Sequence, residues 1–433
     1  MLSQTGAQAL PSFAIQTGNP CAACHVGAFG PQLTSFGRDF KLYGYVASDN
    51  KPHFPPLAFM VQTGYTRSQT PTSSPAGEGS RLNDNWSMNE ATLYYGGAII
   101  PNYVGGFIQG TYDGVAHSFG LNTSDIRFAK DGTIMGKDMV WGISLNNSPT
   151  MSDIWNSTPN WGYPYVNTPY PVRSVSGTAI EGTFAKNVAG IGPYISWNDL
   201  IYAEAAVYKQ LGTHDIGLVQ GTPTTLSAEL ADPMPYWRFA LQNDWQKGKY
   251  YAQLGTYGLT AAVNPSGDHT TGKVDRYNDF GVDANFQWYQ NTKSVVANVL
   301  SAHATWIRED QRLGASSRLT STNPSDKLNT IKGDVSFSYH ATWTPTFQYF
   351  KTIGTTDTAL YSSTTTGSPN SEGWVAELGF TPWGKPDSPV NWYNTRITLQ
   401  YTNYNQFNGT STHATDNNII YLNIWNAFGL NPF

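Results

Sequence analysis

Polar and apolar residues alternate along much of this chain, in segments of about ten residues separated by Gly, Asn, Asp and Pro. The alternation is clearest in residues 279–288, 334–343 and 394–402. In the first of these segments, Asp279 and every second residue after it are polar or Gly, whereas Phe280 and every second residue after it are apolar. Because successive side chains of a β-strand point to opposite faces, each segment predicts a strand with one polar and one apolar face.

Two all-β folds use such strands: a soluble sandwich, whose apolar faces meet in a core, and a transmembrane barrel, whose polar face lines a lumen. Only 13% of the residues are charged and 14% are aromatic, which is too little charge for an ordinary soluble protein. No run approaches the roughly 18 apolar residues of a membrane-spanning helix. Aromatic residues crowd the segment ends, where a barrel meets the edges of the bilayer, and they include Trp237, Trp245, Trp288, Tyr289, Trp306, Trp343, Trp374, Trp383 and Trp392. The sequence therefore favours the barrel.

The alternating segments predict an all-β fold, and the lengths of their connections predict the number of strands. The expected fold is a 16-stranded antiparallel transmembrane β-barrel over residues 57–433, in contact with the lipid of a bacterial outer membrane. Such barrels have an even number of strands and short periplasmic turns, so both termini are expected on the periplasmic side. Residues 147–186 are predicted as one long outer loop that folds over or into the pore, although 174–184 alone resembles a strand. The expected strands are near 57–68, 87–100, 103–113, 121–129, 134–146, 187–197, 200–211, 236–246, 249–262, 276–289, 293–307, 330–343, 346–356, 373–383, 391–404 and 417–428.

The only two cysteines of the chain, Cys21 and Cys24, are followed directly by His25. This C-x-x-C-H pattern is the attachment signature of a c-type haem, in which each thiol binds a vinyl group and the histidine ligates the iron. A disulfide, half of a zinc site and a thioredoxin-like redox pair are the competing interpretations. The chain lacks a second Cys/His cluster for zinc, and no βαβ pattern surrounds the motif. The motif therefore predicts one covalently attached haem c and a role in moving electrons.

Residues 1–56 are expected to form a small cytochrome c segment that plugs the barrel, because they are too few for a stable free domain. Within it, residues 32–43 have apolar side chains at helical spacing, and Gly44 is a helix stop. We expect Phe36 and Phe40, on that apolar face, to cover the porphyrin.

The chain resembles the fused outer-membrane monohaem cytochrome c–porins of iron-oxidising bacteria. The similarity is strongest in residues 13–18, the C-x-x-C-H motif and residues 33–45, and it extends to 124–147 and 153–159. It implies a monohaem cytochrome that plugs a sixteen-stranded barrel, takes electrons from extracellular Fe(II) as an Fe(II) oxidase does, and passes them to a periplasmic soluble cytochrome or copper protein. The resemblance carries over Cys21, Cys24 and His25, and it leaves the sixth iron ligand open.

Three residues are candidates for the sixth ligand. A methionine ligand raises the potential of a haem, which suits an acceptor of electrons from Fe(II). Met60 is three residues into the first predicted strand, with its side chain on the lumenal parity, and is our first choice. The alternatives are His53, in the linker before that strand, and His340, on the lumenal parity near the end of a later strand. An open or water-filled position is the remaining possibility.

No firm Fe(II) site follows from the sequence. Five acidic residues on the lumenal parity could bind a hard cation, although pairing with Arg238 and Arg396 is the simpler role for them; they are Glu90, Asp279, Asp283, Asp334 and Glu377. The formal net charge of −5 and the lack of a basic cluster exclude a nucleic-acid partner. Two other functions stay open: outward electron transfer to an extracellular acceptor, and a diffusion porin with a structural haem.

Overall fold

The computed structural model describes residues 10–51, 56–72, 80–170, 172, 174–212 and 228–430. Its strands, in chain order, are β1 Leu57–Ser68, β2 Asn85–Ile100, β3 Val104–Asp113, β4 Ser118–Leu121, β5 Asp125–Ile134, β6 Lys137–Asn146, β7 Val188–Trp197, β8 Ile201–Gln210, β9 Ala228–Leu230, β10 Met234–Trp245, β11 Tyr250–Pro265, β12 Asp275–Tyr289, β13 Val299–Leu313, β14 Ser325–Ser338, β15 Trp343–Gly354, β16 Ser371–Phe380, β17 Tyr393–Gln406 and β18 Ile419–Gly429. Sixteen of them form an antiparallel ring, which closes because β1 pairs with both β2 and β18. The short β4 and β9 only extend the rim beside β3 and β11.

The sixteen predicted strands are confirmed. One of them, predicted at 121–129, lies at Asp125–Ile134, and two others are also displaced along the chain. The strand predicted at 293–307 lies at Val299–Leu313, and the one predicted at 330–343 lies at Ser325–Ser338. The far ends of both strands carry charged side chains, such as the ion pair of Arg308 with Asp310. The sequence pattern assigned these charged ends to loops because only the lipid-facing part of a strand has to alternate between polar and apolar.

The side chains of the strands face two different environments. In β12, Asp279 and Asp283 are buried in the lumen, whereas Phe280 is 44% exposed on the outside. The same alternation occurs in β17, where Arg396 and Gln400 are buried and Leu399 is exposed. An apolar exterior around a polar interior is the arrangement of a barrel that spans a membrane.

The two ends of the barrel differ in the length of their connections. At one end, called here the short-turn end, the connections include 101–103, 135–136, 198–200, 246–249 and 339–342. At the other, called the long-loop end, they include 69–84, 147–187, 355–370 and 407–418. The chain enters β1 and leaves β18 at the short-turn end, where the Leu430 N–H donates to the Leu57 carbonyl.

Residues 10–51, called the N-terminal segment, form three short helices: α1 Pro11–Thr17, α2 Cys21–Cys24 and α3 Ser35–Leu42. They lie inside the lumen, where they bond to side chains of β12, β14 and β17. Arg38 donates to the Gln287 side-chain oxygen at 2.9 Å, and Asn394 donates to the Ala28 carbonyl at 2.8 Å. The helix predicted within 32–43 is confirmed, and it is followed by Gly44 at a φ of +73°. No helix among the described residues is long and apolar enough to span a membrane.

The connection between β6 and β7, residues 147–187, also fills the lumen, and it is called the lumen loop. Asp153 of this loop lies 3.2 Å from Arg238 of β10, which binds Asp283 of β12 through both Nη atoms at 3.0 and 2.9 Å. The prediction of a long loop folded into the pore is confirmed. Its strand-like part contains only the 3₁₀ turn Ala179–Glu181 among the residues described there.

Candidate cofactor site

A cavity of about 810 Å³ lies between the N-terminal segment and the barrel wall, and Cys21, Cys24 and His25 all line it. Aromatic residues from three parts of the chain form much of the remaining wall: Phe13, Phe40, Tyr45, Tyr94, Phe107 and Trp161. The motif therefore faces a space to whose wall six aromatic rings contribute.

Helix α2 sets the geometry of the motif. Cys21 and Cys24 are its first and last residues, so their side chains are one turn apart on the same helical face. His25 leaves the helix in an extended conformation, and its N–H donates to the Cys21 carbonyl at 2.9 Å. Both cysteines are free thiols, so the disulfide interpretation does not apply to this structure.

A close approach of two helices holds the motif against α3. A Cβ atom added to Gly37 of α3 would lie 2.2 Å from the Cys24 carbonyl oxygen, a distance that no real side chain tolerates. The Thr34 N–H, just before α3, donates to the same carbonyl at 2.9 Å. Only glycine at position 37 allows α3 to pack directly on the backbone of Cys24.

Burial determines the protonation of the three motif residues. Desolvation raises the pKa of Cys21 to about 11, partly offset by a hydrogen bond with Asn394, and it raises the pKa of Cys24 to about 12. Neither thiol is the low-pKa thiolate that a thioredoxin-like redox pair requires. Desolvation also lowers the pKa of His25 to about 4, so the ring is neutral at neutral pH and able to ligate a metal.

The residues present fit a haem. The His25 Nδ1 atom is buried and has no hydrogen-bond partner among the described residues, so no bond ties that side of the ring down. The zinc interpretation lacks ligands, because the described residues contain no group of three or more His, Cys, Asp or Glu placed to hold a metal ion. A covalently attached planar group, by contrast, needs the two thiols, one imidazole and an apolar space, and all of these are present.

The structure brings one of the two predicted covering aromatics to the cavity. Phe40 lines it and packs edge-on against Phe13, with 5.0 Å between the ring centroids. Phe36 is 40% exposed and does not line the cavity, so the prediction for this residue is not met. The reason is the orientation of α3: its buried side carries Arg38, Phe40 and Lys41, and Phe36 lies on the exposed side together with Asp39 and Tyr43.

None of the sixth-ligand candidates that the structure describes lies on the cavity wall. Met60 is fully buried on the lumenal side, as its parity predicts, and its sulfur accepts a hydrogen bond from Trp425 at 3.4 Å. It packs in one apolar cluster with Tyr94 and Phe107 of the cavity wall but does not line the cavity itself. His340 is in the exposed turn after β14, with a φ of 50° and its ring against Tyr339, because that strand ends earlier than predicted. His53 lies outside the described residues.

Sequence reasoning missed most of the cavity wall. Tyr94 and Phe107 come from β2 and β3, and Asn156 and Trp161 come from the lumen loop. Lys41, on α3, is also part of the wall. The only sequence signal for these residues was the resemblance of residues 153–159, which include Asn156.

The lumenal acids act mainly as structural partners. Arg238 binds Asp283, and Arg396 donates to Glu377 at 2.8 Å, so the predicted pairing of acids with these two arginines is confirmed. The remaining three predicted acids have other partners.

Asp334 is bonded to His303 at 3.0 Å, Asp279 accepts the Ile180 N–H at 2.7 Å, and Glu90 accepts the Thr92 hydroxyl at 3.1 Å. Each of these carboxylates is engaged by the protein itself. They do not form a preassembled cation site.

Two further cavities lie between the haem motif and the long-loop end. A polar chamber of about 530 Å³ shares Asn156 and Trp161 with the wall of the first cavity. A vestibule of about 2430 Å³ in turn shares Tyr163, Glu181 and Lys332 with the chamber. Trp161 therefore stands between the cavity at the motif and a series of spaces that leads to the long-loop end.

No protein-family model and no curated protein matches the chain. Solved structures with a similar fold include the outer membrane channel DcaP of Acinetobacter baumannii, at 10% identity and a TM-score of 0.48, covering 86% of this chain and 96% of DcaP. Salmonella typhi OmpF in complex with daunomycin matches at 10% identity and a TM-score of 0.49, over 86% of this chain and 97% of OmpF. Pseudomonas putida OprB matches at 11% identity and a TM-score of 0.41, over 86% of this chain and 93% of OprB.

Proposed function

We propose that this chain is an outer-membrane electron-transfer protein that carries one covalent haem c inside its barrel, takes electrons from Fe(II) at the cell surface and passes them to a periplasmic carrier. One observation carries the proposal: a C-x-x-C-H motif whose three functional residues all line one cavity in the lumen of a transmembrane barrel. A barrel that only passes solutes has no need of such a cavity.

The residues have separate roles in this proposal. Cys21 and Cys24 would hold the haem through thioether bonds, and His25 would ligate its iron. The haem supplies a one-electron iron couple when it is bound. Phe13, Phe40 and the other aromatic residues of the wall exclude water from it.

The position of the cavity agrees with inward electron flow. Short turns are periplasmic in bacterial barrels, so the short-turn end, with the N-terminal segment, would face the periplasmic carrier. The vestibule would open to the outside and admit a small hydrated cation as far as the chamber. From there an electron has to pass only the layer that contains Trp161.

The haem is tested by exporting the chain from cells that have the c-type haem attachment machinery. Intact-mass spectrometry should show one haem, and the pair C21A plus C24A should remove it. The loaded protein should then be reduced when Fe(II) is added, with no reduction in the double variant. A wild-type mass without haem would refute the proposal.

The orientation is tested by epitope insertion. An epitope after Gly267, at the long-loop end, should be reached by antibody on intact cells. One after Gly136, in a short turn where a side chain would meet no neighbour within 4 Å, should require permeabilised cells. The reverse pattern would place the termini outside.

A diffusion porin with a structural haem is the second candidate, and the vestibule of about 2430 Å³ is the observation that favours it. The N-terminal segment and the lumen loop both occupy the lumen beyond that vestibule, which favours a closed pore. Single-channel recording of the whole protein in a planar bilayer decides between them. A steady porin-like conductance would favour diffusion, and a silent bilayer would favour electron transfer. Outward electron flow would appear as a midpoint potential too low for reduction by Fe(II).

A further inference from the structure

Lys41 is a buried cation at the wall of the cavity, and its role in the fold is not evident. Its side chain is only 3% exposed. Its Nζ donates to the Met151 carbonyl at 2.9 Å and to the Asn156 side-chain oxygen at 2.7 Å, and lies 3.8 Å from the centre of the Trp161 ring. Lys41, Asn156 and Trp161 all line the cavity.

Lys41 has no carboxylate partner among the described residues, as is also true of Arg38, whereas the three buried arginines of the barrel wall are all paired. Arg127 binds Asp125 at 2.7 Å, Arg238 binds Asp153 and Asp283, and Arg396 binds Glu377. Of the acids nearest to Lys41, Asp125 and Asp153 are held by these arginines, and Glu204 accepts the Ser152 and Tyr202 hydroxyls. A buried charge without an opposite partner is costly, and proteins rarely retain one without a use for it.

The Lys41 ammonium can also donate one more hydrogen bond than it does. It carries three N–H donors, and the Met151 and Asn156 oxygens accept two of them. Burial and then the nearby Arg127 lower the pKa of Lys41 well below its usual value, and the opposing effect of Asp125, Asp153 and Glu204 does not outweigh them. A carboxylate arriving from the cavity side would satisfy both the charge and the remaining donor.

We propose that Lys41 is the anchor for a carboxylate group of the cavity's occupant, which for a haem is a propionate. This inference rests on the proposed function, since it takes the haem to be attached at Cys21 and Cys24. Lys41 is a positioning residue: it fixes how the porphyrin is oriented between the N-terminal segment and the lumen loop. Because it lies next to the haem, its charge also stabilises the reduced state.

The test compares Lys41→Met, Lys41→Arg and the control Lys51→Met, all on the exported, haem-loaded full chain. Lys51 is on the same segment, but its side chain is 75% exposed and paired with Asp49. The readouts are the mass, the absorption spectrum and the midpoint potential as a function of pH. Lys41→Met should keep the covalent haem and its spectrum, while its midpoint potential falls and gains a new pH dependence as the unpaired propionate titrates. Lys41→Arg and Lys51→Met should match the wild type.

Other outcomes overturn the inference. If Lys41→Arg and Lys41→Met both change the spectrum in the same way, Lys41 is an iron ligand rather than a propionate anchor, because arginine keeps the charge but does not ligate. An unchanged potential and pH profile in Lys41→Met would show that no carboxylate pairs there. Should Lys41→Met fail to fold, Lys41→Gln, which keeps a hydrogen-bond donor without the charge, gives the same comparison. A wild-type protein without haem refutes the proposed function itself, whereas a loaded wild type with an unaffected Lys41→Met refutes only this inference.

Discussion

Different segments of the chain fill the two halves of the lumen, and the two halves also differ in the charged groups that they bury. Near the short-turn end, the N-terminal segment brings two cations inside: Lys41, and Arg38, whose guanidinium lies 3.7 Å from the Tyr251 ring. Near the long-loop end, the buried groups are carboxylates of Asp279, Glu309 and Glu181, which receive bonds from the lumen loop or Lys332.

This difference suits two different roles for the two halves of the lumen. Buried cations suit the half that would hold an anionic cofactor such as a porphyrin with its carboxylates. In the outer half, the lumen would present carboxyl oxygens to small cations that arrive from outside. In the function proposed above, the same polar barrel wall would surround a site for binding in one half and a route for access in the other.

The largest expected effect comes from breaking the ion pairs that join the lumen loop to the wall. Replacing Arg238 with Met leaves Asp153 and Asp283 buried without a cation, which should cost about 3–5 kcal/mol of unfolding free energy. Arg308→Met is the matched control, because its pair with Asp310 is about half exposed and should be worth roughly 0–1 kcal/mol. Thermal unfolding in detergent measures both. Equal losses in the two variants would mean that the lumen loop is not held by this network.

An intermediate effect is expected where the N-terminal segment packs on itself. Gly37→Ala places a Cβ against the Cys24 carbonyl and should cost about 1–3 kcal/mol while lowering the fraction of chains that carry haem. Gly110→Ala is the control, because a Cβ there has no neighbour within 4 Å. Haem content per protein, from the mass spectrum, is the measurement. Full haem content in Gly37→Ala would show that the contact of α3 with Cys24 does not position the motif.

The smallest effect lies outside the lumen, in the loops of the long-loop end. Burial would raise the pKa of Asp357, but bonds from the Leu360 N–H, the Ser321 hydroxyl and the Thr322 N–H outweigh it and hold the pKa well below its usual value. A lowered carboxyl pKa adds stability that is complete above the unfolded pKa of about 3.9 and is lost as the pH falls further.

Proteolysis of these loops at decreasing pH checks the prediction. The loops should stay resistant at neutral pH and become sensitive only in strong acid. Asp357→Asn should remove the pH dependence with little change in the stability of the barrel, because the loops lie beyond the strands. Sensitivity that begins near neutral pH would contradict the assignment.

The barrel wall was predictable because each strand has one face toward the lumen and the other toward lipid. The sequence therefore alternates between polar and apolar residues with a period of two. The charged ends of strands do not follow this alternation, so the strand at Ser325–Ser338 was predicted too far along the chain. His340 was therefore assigned to that strand, although it lies in the turn after it. The alternation correctly predicted that the Met60 side chain faces the lumen. It carries no information about how far along the barrel axis a residue lies, or about which residues it contacts across the lumen. The motif at Cys21–Cys24 was local and therefore visible, whereas Phe107 and Trp161 reach the cavity through contacts between distant parts of the chain.

The burial of the two thiols has a consequence for the order of biogenesis. Cys21 is 8% exposed, and the backbone beside it is bonded to the short-turn end, where the Ala22 N–H donates to the Gly384 carbonyl at 2.9 Å. The ring around it is complete only when β1 pairs with the last strand, β18. If the chain carries a haem as proposed, the burial of Cys21 would favour attachment before that pairing. Attachment would then precede insertion into the membrane.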